Sequence, residues 1–343
     1  MNLITLQRGY HLITKMNNNK GVSVIICCHN SAKRIIATLN SLAAQVQDSG
    51  MSYEIILVDN NCSDDTIQTA NQYWHQLGTP YPFTFVHQPI PGLTYARQKG
   101  IAAANFDIVI LCDDDNWLCS DYLQKTINIF EALPDVALIG GVGEAVFECN
   151  PPEWFHQIGG FGYAVGSEGR SAGYVDSLYG AGMGIRKSVY EKLLTKGMSF
   201  ILSDRKGNAL SSGGDVEMCI IFNKAGYKIY FDTALCFKHF IAANRLRWNY
   251  YLQLRKAFGV ANAYLLAYQH SDALLANNNF AGYIKRYVSY SIFLGRRIHF
   301  FLFPLLFKSA SCAGFVQILS MRKTLLLEGA TIRSLAKSIH QPV

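Results

Sequence analysis

Residues 107–115 read DIVILCDDD, a short apolar run that closes on three consecutive aspartates. The run is brief, β-branched and almost free of polar side chains, which is the pattern of a strand buried on both faces of a parallel sheet. Asp113, Asp114 and Asp115 therefore stand at its carboxyl end. Upstream, residues 22–28 (VSVIICC) and 53–58 (YEIILV) have the same character, and the second of these ends at Asp59. Between and after them, residues 31–44, 66–74 and 92–104 carry the spacing or start signals of helices, with Ser63-Asp64-Asp65 as an N-cap signal. Residues 83–87 form a further strand. Strand and helix alternating at this rhythm predict βαβ units on a mostly parallel sheet flanked by helices. In such sheets ligands bind just outside the carboxyl ends of the strands, where Asp59 and the triplet lie.

Three successive carboxylates repel one another, and a bound cation is the simple way to keep them ionised together. Mg²⁺ or Mn²⁺ takes one or two protein carboxylates and completes its shell with water and substrate phosphates. A solvated turn, or a cap for the next helix, is the plain alternative. The place of the triplet directly after a buried strand, in the company of Asp59, favours the metal.

The chain has 343 residues, half of them hydrophobic, enough for a large core. Its net charge of +7 is unevenly spread. Residues 1–238 carry 18 Lys and Arg against 22 Asp and Glu, and residues 239–343 carry 13 against 2. A basic tail suits an anionic partner. The aromatic and aliphatic content of residues 283–307 (YIKRYVSYSIFLGRRIHFFLFPLLF) fits an anionic membrane surface better than nucleic acid. Arg296-Arg297 and Pro304 interrupt that run, so an interfacial anchor is expected rather than a spanning helix, with a helical subdomain packed on the body as the alternative. Nine cysteines without paired spacing suggest neither a disulfide framework nor zinc, and the polar residues 1–20 lack a signal-peptide core. The expected location is cytoplasmic, peripherally attached to the membrane face. Three regions are expected: an N-terminal extension (1–20), a catalytic domain (21–240) and a helical, basic C-terminal region (241–343).

The ordered set VSVIICCHN, EIILVDNNCSDDT, PGLTYARQKGIAAA, DIVILCDDDNWL, GAGMGIRKSVYEKL and SGGDVEMCIIFNKAGYKIYF resembles the family 2 glycosyltransferases of GT-A fold. The resemblance spans roughly residues 22–239. It implies a Rossmann-like nucleotide-binding half joined to an acceptor half, and inverting transfer of a sugar from a UDP-, GDP- or dTDP-linked donor to a glycan or lipid-linked acceptor. His29 and Asn30 would line the base pocket, Asp59 would accept a hydrogen bond from the base, and Arg97 would lie near the diphosphate. Gln98 stands where that stretch usually has Asn. The triplet would serve as Asp-x-Asp, with Asp113 toward the donor ribose or sugar, Asp114 in the variable slot and Asp115 on the metal; His239 would help bind the metal or the diphosphate, with a structural role as the even alternative. Asp215 would be the base, although the Glu that usually precedes it is Gly214 here. Trp154 and Glu217 are candidates for acceptor contact. A core plug is the second reading of Trp154, Glu217 could instead simply sit on the solvent side, and Asp215 could also cap its helix.

Two other readings compete. A sugar nucleotidyltransferase would need a Gly-rich, basic phosphate loop after the first strand, where this chain has Cys28-His29-Asn30-Ser31. A non-catalytic, membrane-associated nucleotide-sugar-binding protein should have lost a metal-site or base carboxylate, and both are retained.

Overall fold

The computed structural model describes residues 20–46, 50–158, 160, 162–167, 169–205, 210–269 and 310–339. The basic aromatic segment 283–307 and nearly all of the N-terminal extension lie outside the described residues. The first half runs β1 (Gly21–Cys28), α1 (Ile35–Ala43), β2 (Ser52–Asp59), α2 (Thr66–Gln76), β3 (Phe83–His87), α3 (Leu93–Ala103) and β4 (Ile108–Asp113). Next come β5 (Asn116–Leu118), α4 (Tyr122–Ala132), β6 (Val136–Phe147), α5 (Glu153–Ile158), β7 (Gly173–Tyr174), β8 (Gly184–Arg186) and α6 (Lys187–Thr195). The chain continues through α7 (Gly214–Lys224), β9 (Lys228–Ile241), a 3₁₀ turn (Ala243–Leu246), α8 (Trp248–Gln269) and α9 (Ala310–Ile339).

The strands form one sheet in the order β3-β2-β1-β4-β8-β6-β9-β5, with β7 on β9. β1 pairs in parallel with β2 and β4, and β2 with β3, which is the predicted βαβ half. β8 then runs antiparallel between β4 and β6 and turns the sheet into its mixed second half. The carboxyl ends of β1, β2 and β4 lie side by side, because Cys28 registers with Asp59 and Cys27 with Asp113.

The alternation along β1 assigns its side chains to two layers. Val24 and Ile26 join α1, α2 and α4 through Leu39, Trp74 and Phe130, while Ile25 meets α3, α6 and α7 through Ala96, Tyr190 and Phe222. Each fully buried aliphatic of this kind contributes about 1.5–3 kcal/mol, so the sheet is a stiff platform for whatever its strand ends carry. Gly100 shows how closely α3 lies on the sheet. A Cβ there would fall 2.3 Å from Ile25 Cγ2.

The described part of the region beyond residue 240 packs on the body. Trp154, Phe155 and Tyr163 share one buried cluster with Ile241, Leu246, Tyr251, Leu254 and Ala313, and Trp154 stacks on Tyr251 at 5.3 Å between ring centroids. α8 and α9 pair through Ala263, Leu266, Met321, Leu325 and Ile332. Two expectations are corrected here. Trp154 is 4% exposed and serves as a core aromatic, so it has no face to offer an acceptor. Glu217 is fully buried, and its carboxylate accepts hydrogen bonds from Ile201 N (2.7 Å), Leu202 N (3.0 Å) and Tyr268 Oη (2.6 Å). It ties α7 to α8 and to the segment before residue 205. Burial pushes its carboxyl above the ordinary range, against the pull of those donors.

Replacing Glu217 by Ala leaves three buried donors without an acceptor. We expect a loss of about 2–4 kcal/mol in urea unfolding, with ligand affinity of the folded protein unchanged. A loss below about 0.5 kcal/mol would show that the tie is dispensable.

Candidate active site

The carboxyl ends of β1 and β4, the start of α7 and the end of β9 open onto one cavity of about 740 Å³. That is the size of a small-molecule site. Asp113, Asp115, His239 and Arg245 line one part of it, and Asp215 and Asp204 another.

The three aspartates take different partners. Asp113 ends β4 with its side chain 30% exposed and meets Arg97 Nη2 at 3.6 Å from Oδ1. Asp114 is buried; its carboxylate accepts from Ser31 Oγ and from Arg34 Nη2 at 2.9 Å, and its carbonyl accepts from Thr38 Oγ1 at 2.9 Å. The middle aspartate is thus held by the N-terminal end of α1. Asp115 meets Arg245 Nη1 at 2.9 Å from Oδ2, and its Oδ1 lies 3.6 Å from His239 Nε2. Burial, and then the neighbouring Asp115, push the Asp114 carboxyl up to about 7, against Arg34. Burial works upward on Asp115 too, but His239 when protonated, Arg245 and Arg34 outweigh it and hold this carboxyl below the ordinary range.

His239 arrives from β9, which pairs antiparallel with β5 so that His239 registers with Asn116. Its Nδ1 donates to the Tyr163 carbonyl at 2.5 Å, which leaves Nε2 facing Asp115 and accepting from Arg245 Nη1 at 3.2 Å. A ring oriented this way by its second nitrogen is prepared for a metal. One carboxylate oxygen and one imidazole nitrogen 3.6 Å apart suit a single divalent ion whose remaining positions go to water and phosphate. Among the described residues no third protein ligand joins them. The donor set therefore fits Mg²⁺ or Mn²⁺ shared with a phosphate-bearing ligand.

Asp215 lies in the first turn of α7, where its Oδ2 accepts from Gly180 N at 3.0 Å and its Oδ1 from Val216 N at 2.8 Å. Arg97 is 7% exposed and bridges Asp113 to Asp204, which its Nη1 meets at 3.3 Å. Burial pushes the Asp204 carboxyl up to about 6, against the attraction of Arg97. Of the residues expected at a base pocket, His29 lines the cavity and its ring meets the Asn60 carbonyl at 3.0 Å. Asn30 takes a left-handed φ of 55° and accepts from Ser63 N at 2.8 Å. Asp59 accepts from Cys62 N at 2.8 Å and pairs with His87 at 3.0 Å. These two shape the loop after β2 rather than lining the cavity.

Arg34, Arg245 and Asp204 went unnoticed in the sequence. Arg245 and Asp115 are 130 positions apart, and Asp204 and Arg97 are 107 apart, so no local spacing announces either pair. Asp204 also lies in an irregular segment, where periodicity gives no signal.

Comparison with known proteins agrees with this architecture. The model of glycosyl transferase family 2 matches residues 23–194, half of the chain. A glucosyl-dolichyl phosphate glucuronosyltransferase of Haloferax volcanii is 25% identical over 153 residues, which cover 43% of this chain and 47% of that one. A cholesterol galactosyltransferase of Borreliella burgdorferi is 32% identical over 108 residues, 31% of this chain and 28% of that one. The matches thus span less than half the length of these two relatives. A crystal structure of GalNAc-T7 with UDP, GalNAc and Mn²⁺ superposes with a TM-score of 0.52 at 13% identity, covering 74% of this chain and 51% of that one, which shows a shared fold. With its parallel first half, its mixed second half and the family match from strand β1 to helix α6, this chain belongs to the family 2 glycosyltransferases, of GT-A fold.

Proposed function

We propose that the chain transfers a sugar from a nucleoside diphosphate donor to an acceptor hydroxyl, with inversion at the anomeric carbon. The observation that carries this reading is the meeting of Asp113, Asp115 and His239 with Asp215 around one cavity. The first three suit a metal and a donor, and the last suits proton removal.

In this reading His29 and the loops after β1 and β2 receive the base and ribose, and Asp113 reaches the ribose or donor sugar. Asp115 and His239 would hold Mg²⁺ or Mn²⁺, which when bound offsets charge on the departing diphosphate. Arg245, whose Nη1 now occupies the Nε2 lone pair of His239 at 3.2 Å, would yield that position to the ion and keep its positive charge at the same corner through Asp115. Its buried Nε finds no acceptor among the described residues, as expected of a site that awaits an anion. The Gly180 and Val216 amides orient the Asp215 carboxylate. The acceptor oxygen attacks the anomeric carbon as its proton passes to Asp215. The bond from that carbon to the diphosphate oxygen breaks, and its electron pair leaves with the nucleoside diphosphate. One displacement of this kind inverts the configuration.

The relatives named for dolichyl phosphate and cholesterol support a lipid-borne acceptor in surface glycan or glycolipid assembly. The excess of cations beyond residue 238 supports peripheral binding to an anionic membrane face. No helix of the described residues is long and apolar enough to cross a membrane.

Asp215→Asn should lower transfer by about 10²-fold or more while donor binding by calorimetry persists. Chelation by EDTA should abolish transfer in the unaltered protein. Transfer within a few-fold of normal in the variant would assign the base elsewhere, and full activity in EDTA would remove the metal.

The full-length protein should sediment with vesicles containing anionic lipid at low salt and release as salt rises, since each basic residue near the surface contributes about 1 kcal/mol. Indifference to such vesicles at low salt would contradict the peripheral attachment.

A further inference from the structure

Helix α7 opens on Gly213-Gly214, and the two glycines have different causes. Gly213 lies at φ 103°, a left-handed conformation that favours glycine. Gly214 is not among the left-handed glycines, so its backbone would accept a side chain. What excludes one is Asp204. A Cβ on Gly214 would stand 2.7 Å from Asp204 Oδ2 and 3.0 Å from its Cγ, with Thr94 Oγ1 next at 3.4 Å. The carboxylate of Asp204 occupies the space that a residue at 214 would fill.

Its placement is held from several sides. Asp204 takes φ 53°, uncommon for a residue with a side chain and typical of strained functional positions. Its Oδ1 accepts from Gly214 N at 3.2 Å, and its carbonyl accepts from Ser211 Oγ. The neighbouring backbone is pinned to the start of α3, where Leu93 N donates to Arg205 O (2.9 Å) and Thr94 Oγ1 to Leu202 O (2.9 Å). The remaining oxygen faces Arg97 Nη1 at 3.3 Å, and the other arm of that guanidinium faces Asp113 Oδ1 at 3.6 Å. Arg97 also packs closely against Gly180, where a Cβ would meet Nη2 at 2.6 Å, and the Gly180 amide is the one that orients Asp215.

We propose that Asp204 is a positioning residue of the transfer reaction: from a loop it places a carboxylate in the space beside Gly214, and through Arg97 it sets both Asp113 and the Gly180 amide that aims Asp215. This role rests on the glycosyl-transfer reading above. In this role Asp204 acts through Arg97, which its Oδ2 meets at 3.3 Å, rather than on the reacting atoms. It keeps the buried guanidinium centred between two acids, so that Asp113 on the donor side and Asp215 on the acceptor side hold one geometry. A displacement of about 1 Å at such a point costs about 10²-fold in rate.

The test uses nucleotide-sugar turnover, donor KM and thermal unfolding of the full chain and three variants. Asp204→Asn, which keeps the volume, should lower kcat about 10²-fold with donor KM within about threefold. Gly214→Asp alone should also lose activity, because its Cβ collides with Asp204. The combination Asp204→Ala with Gly214→Asp returns a carboxylate to the same space and should recover at least about tenfold over Asp204→Asn. Wild-type turnover with an unimpaired Asp204→Asn would overturn the positioning role and leave the reaction standing. So would a double variant that folds yet recovers nothing. If Asp204→Asn fails to fold, the double variant decides alone. Absence of turnover by the wild type with every nucleotide sugar would instead remove the glycosyl-transfer reading, and this role with it.

Discussion

Three consecutive carboxylates at one strand end are the constraint around which the rest of this molecule is arranged. Two such charges about 4 Å apart repel by about 4 kcal/mol at the effective dielectric of a partly buried site. The chain meets this by giving each aspartate its own guanidinium, each from a different element. Arg97 comes from α3 to Asp113, Arg34 from the start of α1 to Asp114, and Arg245 from the turn after β9 to Asp115. Residues more than a hundred positions apart are thereby drawn to one point, and the two halves of the sheet close around it.

The triplet is divided by direction. Asp114 turns to Ser31, Arg34 and Thr38 and anchors α1 to the strand end. Its neighbours face the cavity. Asp115 shares its corner with an imidazole whose other nitrogen is already committed to a carbonyl. The turn that follows β4 therefore gives Asp114 to α1 and Asp115 to His239 and Arg245, while all three carboxylates line the cavity. Burial of the first and cationic crowding of the last also drive their protonation apart.

The parallel half was legible because β1, β2 and β4 are short, β-branched runs buried on both faces, and they appear where residues 22–28, 53–58 and 107–112 suggest them. The second half was less so. β7 and β8 are only two and three residues long, too short for any period to register. β9 extends through Ile241, well past the apolar residues 227–231 that announce it, because its polar positions pair with β5 and β6. At the site, motif order brought Asp113, Asp115, His239 and Asp215 to one cavity. It misjudged Trp154 and Glu217, since exposure is a tertiary property. Trp154 is covered by Trp248 and Tyr251, and Glu217 by Tyr268, all from α8. Arg34, Arg245 and Asp204 stayed hidden for the same reason, as partners chosen by the fold rather than by neighbours in the chain.

The central claim is that this cluster awaits a nucleoside diphosphate together with a divalent ion. Thermal unfolding in the presence of UDP, GDP, dTDP or CDP, each with and without Mn²⁺, addresses it directly. At a concentration about 100 times its dissociation constant, a ligand that binds only the folded state stabilises it by about 2.7 kcal/mol. The account predicts that one of these nucleotides raises the unfolding temperature, by more with Mn²⁺ than without, and that Asp115→Ala removes the metal-dependent part. Unfolding temperatures unmoved by all four nucleotides in the presence of metal would contradict it.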